Sequence, residues 1–422
     1  MVPHLITALT GPINELEQRM LDAMPAIERW FRLEWMEHTP PFYTSVDLRN
    51  AGFKLAPVDT SLFPHGWHNL TPEMLPLAVQ AAMAAIEKIC PEARNLLIIP
   101  ENGLRGPADL ADVAQLQRIF NLAGLNVRVG SIDPEVKKTA GFDLPDGGSV
   151  QVEPALRLRK RVGLKNFDPC TILLNNELAA GTPGILEELY EQYLLPPLQA
   201  GWTVRRRSRH FQSYEEVGKR FGKMLGIDHW LIHPISASAE IASGKGKELE
   251  PLRAAVDTVI SKVRRKYKEY GINEKPFAVI KADDASDAAG VVLLRDARDL
   301  EALAAEGRLP QSGHWLVQEG VLTQERVHEA VAEPVVYTMD RYVVGGVYRV
   351  HAQPNTAEGA RVHGACYVPL AFEHSTHLPQ LGVRPGASAP NRFYMYGVVA
   401  RLAMLAASYE LEATDPELRE LV

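Results

Sequence analysis

The chain has 422 residues, 46% of them hydrophobic and 23% charged, with a formal net charge of −7. At roughly 100–200 residues per domain, that length predicts two or three domains or one large interlocked α/β body. The acidic balance argues against nucleic acid or an anionic membrane as the main partner. Three scattered cysteines, Cys90, Cys170 and Cys366, form neither a disulfide framework nor a zinc motif, so a cytoplasmic setting is expected. Residues 1–4 show no signal-peptide pattern, and no run reaches the ~18 apolar residues of a membrane span.

In chain order, Leu16, Met20, Met24, Ile27 and Phe31 recur at helical spacing and predict one helix over residues 13–32. Residues 43–64 read as a polar, turn-rich segment, and a helix is expected over 72–89. The run NLLIIP (95–100) predicts a buried parallel strand. With a helix over 108–125 and a strand over 126–130, it makes a βαβ unit. TILL (171–174) is a further buried strand, and a helix is expected over 185–194. The Lys/Arg-rich helix over 245–270 reads as a solvated face. FAVIK (277–281), VVLL (291–294), WLVQ (315–318) and residues 335–340 are strands. Gly345-Gly346 between two apolar runs predicts a hairpin within 342–350. A helix over 394–409 closes the pattern. The expected class is α/β with an α+β C-terminal half, divided near residue 270 into regions 1–270 and 271–422.

Several constellations carry candidate chemistry. Lys281 ends an apolar strand before a turn and a second strand, where its ammonium can meet a phosphate. The turn itself, ADDASDAAG (282–290), has one glycine and three aspartates, which oppose phosphate unless Mg²⁺ intervenes. Taken alone, a plain polar hairpin is an equally open reading. Gln318, Glu319 and Gly320 end another strand and can present groups to an adenine edge. Arg349 on a strand face suits a carboxylate or phosphate, or a structural ion pair. Asp47 and Arg49 are two apart, so they share a face on an extended chain, with Asn50 and Lys54 close by. Asn175-Asn176-Glu177 follows a strand's C-terminal end, the usual ligand side of an open sheet. The run 205–209, which includes Arg207, is either a solvated basic turn or an anion clamp.

Taken together, SVDLRNAGFKLAPVDTSLFP (45–64), LLNNELAAGTP (173–183), LQAGWTVRRRSRHF (198–211), the FAVIKAD stretch (277–283), residues 318–351 and residues 390–410 resemble the bacterial glutamate–cysteine ligases that are similar to ATP-grasp glutathione synthetases. The resemblance implies an ATP-grasp-like fold, ATP with Mg²⁺, and amide formation through an acyl phosphate, with glutamate and cysteine as substrates. It implies that Lys281 and Arg349 are catalytic, that Lys281, Gln318, Glu319, Gly320, Val321 and Arg349 bind ATP, and that Arg49, Asn50, Lys54, Asn176 and Arg207 bind substrate. Asp47 and Asn50 would hold the metal. Partners would be small-molecule amino acids, with a homo-oligomer left open. The turn after Lys281 departs from the family's glycine-rich pattern, as does AEGARVHGA (357–365) from its asparagine-rich loop. A ligase with another amine substrate, or a homologue that binds amino acids without ATP turnover, therefore stays open.

Overall fold

The computed structural model describes residues 5–6, 12–102, 106–145, 147–242, 246–284, 291–306, 309, 312–327, 329–351, 366–370 and 393–416. Three sheets organise them. The largest runs β1 (Leu5–Ile6), β16 (Arg326–Val327), β17 (Ala330–Met339), β18 (Tyr342–Val350) and β19 (Cys366–Pro369), with β2 (Tyr43–Asn50) on β17 and β3 (Leu55–Ser61) on β2. All of its pairings are antiparallel. A six-stranded sheet has the order β11 (Tyr193–Leu195), β10 (Thr171–Asn175), β4 (Asn95–Pro100), β5 (Asn126–Ser131), β7 (Ser149–Pro154) and β6 (Ala140–Asp143), parallel except at β6. A four-stranded antiparallel sheet has the order β12 (Ser236–Ile241), β15 (Gly313–Glu319), β13 (Ala278–Ala282) and β14 (Val292–Leu294). The small hairpin β8 (Leu156–Leu158)–β9 (Arg161–Gly163) stands apart.

Helices cover the sheets. α1 (Pro12–Asp22), α2 (Met24–Glu37), α5 (Arg207–Leu225) and α8 (Phe393–Thr414) share one core with the largest sheet, through Ile13, Phe31, Val46, Phe221 and Leu402. α4 (Pro107–Leu122) packs on the parallel sheet, α3 (Leu75–Ile89) lies against α4 and strands β17 and β18, and α6 (Glu250–Glu269) and α7 (Asp299–Ala305) pack on the four-stranded sheet. The α/β character and the βαβ unit thus stand as expected. Strand pairing crosses residue 270 three times: β1 joins β16, β2 joins β17, and β12 joins β15. Among the described residues no helix is long and apolar enough to cross a membrane.

Four local expectations differ from the structure. The single helix over 13–32 is two helices, broken at Ala23 just before Pro25, which has no N–H to give to the preceding turn. The turn-rich segment 43–64 is the β2–β3 hairpin. Residues 185–194 are a 3₁₀ turn, Gly184–Leu186, followed by β11 rather than a helix. There the Gln192 side chain accepts from Val162 N (2.6 Å) and donates to Val162 O (2.8 Å), so tertiary pairing overrides helical spacing. Gly345-Gly346 lies inside the continuous strand β18, and the chain reverses at Asp340-Arg341 instead. The glycines serve packing: a Cβ on Gly345 would stand 2.8 Å from Leu70 Cδ2, and one on Gly346 2.4 Å from Leu370 Cδ1 and 3.0 Å from Val335 O. Gly346→Val should therefore cost about 1–3 kcal/mol by overpacking. Gly184→Ala, where a Cβ meets nothing within 4 Å, should stay within about 0.5 kcal/mol of the parent. Urea unfolding of the two variants measures the contrast.

Candidate active site

β2 alternates as a strand must. Val46 and Leu48 enter the core, while Ser45, Asp47 and Arg49 face a cleft of about 390 Å³. The opposite wall is the four-stranded sheet, which contributes Lys281 from β13 and Gln318 from β15; α4 and the turn at residues 65–69 form a third side. Two antiparallel sheets thus close on one cleft.

On the large sheet the charges are locked together. Glu333 and Arg349 are directly opposed across β17 and β18, and Asp47 is opposed to Val335. Arg349 Nη2 contacts Asp47 Oδ2 at 2.6 Å and Glu333 Oε2 at 2.9 Å, and Arg49 Nη2 takes Glu333 Oε1 at 2.8 Å. His351 Nε2 stands 2.8 Å from the same carboxylate. Burial pushes the Glu333 carboxyl upward, but Arg49, His351 and Arg349 outweigh it and hold it well below the usual carboxylate range.

On the facing sheet, Lys281 Nζ donates to Val58 O (2.7 Å) on β3 and to Gln318 Oε1 (2.9 Å). Burial pulls the ammonium down to about 8, with Asp59 opposing and Arg207 and Arg49 adding to the shift. Gln318 Nε2 is buried, lines the same cleft and has no partner among the described residues. A buried donor without an acceptor is costly, so this position fits a ligand oxygen or ring nitrogen. Arg207 stacks on Trp202 at 4.5 Å and lies 3.6 Å from Asp59 Oδ2, whose side chain is 41% open. Burial opposes ionisation of Asp59, while Arg207, Lys281 and Arg205 overcome it and keep the carboxyl below its ordinary range.

Asp283 does not face a phosphate. Its carboxylate accepts from Ser208 N (2.6 Å) and Ser208 Oγ (2.7 Å), capping the start of α5. The rest of the aspartate-rich turn, 285–290, and the loop 357–365 lie outside the described residues.

The expected site residues therefore divide. Asp47, Arg49, Arg207, Lys281, Gln318, Glu319, Val321 and Arg349 line the cleft. Asn50, Lys54, Asn176 and Gly320 do not. Asn50 is on the other face of β2, where its Nδ2 donates to Glu325 Oε1 at 2.9 Å, so it does not pair with Asp47 as a metal ligand. Lys54 is fully buried, with Nζ 2.9 Å from Glu319 Oε2 and 2.9 Å from His233 O. Asn176 donates to Pro100 O (3.3 Å), and its neighbour Glu177 reaches the cleft instead. The Gly320 amide donates to Phe277 O (2.9 Å) and the Glu319 amide to Ile235 O (2.7 Å), so neither is open to an adenine edge. Within the basic run, Arg205 pairs with Glu410 at 3.1 Å, and Arg207 is the member that reaches the cleft.

Among the described residues, no group of three His, Cys, Asp or Glu side chains is placed to hold a metal. Mg²⁺ commonly takes one or two carboxylates and leaves the rest to substrate phosphates and water. Asp47 and Asp59, opposed across β2 and β3 in the cleft, are the fitting pair. Sequence reading missed Asp59 as a site residue, and also His65, His68 and Asp112, which line the third wall.

Two stability effects follow. Lys54→Met would leave the Glu319 carboxylate buried and uncompensated, costing about 3–5 kcal/mol in urea unfolding. Because the folded pKa of Glu333 is depressed, the unfolded chain binds that proton more readily. Its stabilisation is then complete above its ordinary value of 4.5 and drains away as pH falls. The unfolding free-energy gap between the parent and Glu333→Gln should be widest near neutral pH and close under acid.

A family model for glutamate-cysteine ligase (GshA) matches residues 17–411. Comparison with curated proteins finds no match. Among solved structures, a provisionally named gamma-glutamylcysteine synthetase from Methylobacillus flagellatus is 47% identical, with a TM-score of 0.90, covering 98% of this chain and 100% of that one. D-alanyl-alanine synthetase A from Vibrio cholerae is 14% identical, with a TM-score of 0.32 over 65% of this chain and 73% of that one. A glutathione synthetase-like effector from Globodera pallida is 10% identical, with a TM-score of 0.37 over 79% and 76%. Both of these likenesses are too loose to carry an argument. The family match over most of the chain and the full-length superposable neighbour settle the placement: the chain belongs to the glutamate-cysteine ligase family.

Proposed function

We propose that the protein is an ATP-dependent ligase that joins the γ-carboxylate of glutamate to the amine of cysteine through an acyl phosphate. One observation carries this beyond family membership: Lys281 from the four-stranded sheet, Arg49 and Arg349 from the large sheet, and Arg207 from the start of α5 converge on a single cleft. Four cations in one cleft suit a triphosphate and a carboxylate together.

The chain's own residues supply positioning and charge neutralisation, which is most of what phosphoryl transfer asks of a protein. Lys281 and Arg207 bind phosphate oxygens, and Gln318 Nε2 gives a further hydrogen bond. Arg349 and Arg49, fixed by Glu333, sit where negative charge grows as the carboxylate attacks phosphorus. Their fixed orientation means that little reorganisation is needed as that charge develops. Asp47 and Asp59 would hold Mg²⁺, which would supply further neutralisation of negative charge. The amine then attacks the acyl carbon, the C–O bond to phosphate breaks, and the amide forms.

ADP release should require glutamate and cysteine together. Lys281→Ala should lower kcat/KM by about 10²–10³, the usual effect of removing one preorganised charge-stabilising group. ADP release that ignores cysteine but responds to a different amine would point to a ligase of other specificity. Near-parental turnover by Lys281→Ala would overturn the nucleotide assignment.

The Lys281 pKa gives a further check. Its ammonium is protonated below about 8 and loses its proton above, so Mg·ATP affinity should fall as pH rises through that value. In Lys281→Arg the guanidinium stays charged, and the affinity should remain flat. Calorimetric titration across pH 7–9 reads the difference.

A further inference from the structure

The third side of the cleft holds a cluster that the phosphoryl-transfer half of the reaction does not use. Asp112, on α4 and 2% exposed, faces two histidines from the turn before and within Trp67–Asn69. His68 Nδ1 is 3.4 Å from Asp112 Oδ1, and the His68 peptide N–H donates to the same oxygen at 3.3 Å. His65 Nδ1 is 3.6 Å from Oδ2. Both imidazoles line the cleft, and about a third of each is open to it (29% and 33%).

The turn is rigidly mounted. Trp67 is fully buried, donates Nε1 to Pro64 O (2.9 Å), and stacks on Tyr43 with ring centroids 5.8 Å apart. The Tyr337 hydroxyl donates to His65 O (2.9 Å). Gly66 sits between them at φ +91°, where a Cβ would come within 2.4 Å of that hydroxyl, so only glycine lets the turn approach so closely.

The charge state fixes the tautomer. Burial raises the Asp112 carboxyl, but His65 and His68 outweigh that effect and hold it below its ordinary value. An ionised carboxylate can only accept hydrogen bonds, so Asp112 orients a His68 Nδ1–H toward itself, and in the neutral imidazole Nε2 is the nitrogen with the lone pair.

We propose that His68 accepts the proton released by the amine nucleophile, with Asp112 as its positioning residue. The inference rests on the ligase reading and supplies the base which that chemistry requires. When the amine attacks the acyl phosphate, an N–C bond forms and the nitrogen becomes positively charged. The proton passes from nitrogen to His68 Nε2. The C–O bond to phosphate breaks, and its electron pair leaves on the phosphate oxygen. The cationic side of the cleft cannot take that proton: Arg49, Arg207 and Arg349 are permanently charged, and Lys281 is protonated below about 8.

The test compares two acceptors in glutamate-dependent ADP release: cysteine, and hydroxylamine, a much weaker base that attacks as the neutral amine and needs little help in losing its proton. His68→Asn keeps a donor at the Nδ1 position toward Asp112 but has no Nε2. It should lower kcat with cysteine by about 10²–10⁴, the range for general-base catalysis, and lower kcat with hydroxylamine by less than about tenfold. Asp112→Asn should show the same selectivity at smaller size. A Mg·ATP-induced rise in Tm that matches the parent shows that the variant is folded and its nucleotide site intact. Equal losses with both acceptors, no loss, or the selective loss in His65→Asn rather than His68→Asn would each overturn the assignment. If the parent protein releases no ADP with either acceptor, the ligase reading itself fails and takes this assignment with it.

Discussion

The buried Glu333 carboxylate, gripped by Arg49 and Arg349, is the interaction on which the cleft depends. Its partners come from β2 and β18, on either side of β17, so the ion group forms only when β2 is in register with the sequence-distant β17–β18 hairpin. A one-residue slip in β2 would turn Asp47 and Arg49 into the core and Val46 and Leu48 into the cleft. Removing one partner would leave an uncompensated charge in a site where Glu333 is 1% exposed. Strand register and cleft electrostatics are therefore one constraint. The same grip holds two guanidinium groups still, as stabilisation of a developing phosphate charge requires.

Around this group, neighbouring residues of like type do different work. Lys54 is fully buried and Lys281 half-buried: Lys54 is sealed against Glu319 and the Trp230 ring at 4.3 Å, while Lys281 opens on the cleft. Arg205 ties the start of α5 to Glu410, and Arg207, two residues on, reaches the cleft wall. Asp283, read from sequence as an obstacle to phosphate, instead caps α5 and fixes where Arg207 begins its helix. The backbone agrees: Arg207 N donates to Asp283 O at 2.9 Å. The four-stranded sheet and α5 are thus joined beside the cleft that Lys281 and Arg207 line.

Sequence alone showed the buried strands β4, β10 and β13, the helices α3, α4, α6 and α8, and the strand-end lysine, because each is a local pattern; it did not show β2, β3 or α5. The same alternation that put Asp47 and Arg49 on one face also put Asn50 on the other, a step that proximity in sequence obscured. Gly345-Gly346 looked like a turn because glycine favours turns; the packing of Leu70 and Leu370 that demands those glycines is tertiary. The His65, His68 and Asp112 group left no pattern at all. Its aspartate lies 44 residues beyond His68 on a different element, and two histidines three apart beside a tryptophan match no metal or catalytic motif. Which cations serve structure and which serve the site was likewise hidden, since burial partners such as Glu319 and Glu410 are remote.

A crystal structure with Mg²⁺ and a non-hydrolysable ATP analogue bears most directly on the claim that the two sheets clasp a triphosphate. The account predicts phosphate oxygens within hydrogen-bond distance of Lys281 Nζ and Arg207, Gln318 Nε2 donating to the nucleotide, and the Glu333 group unmoved. A nucleotide bound elsewhere, with Gln318 Nε2 still lacking an acceptor, would contradict it.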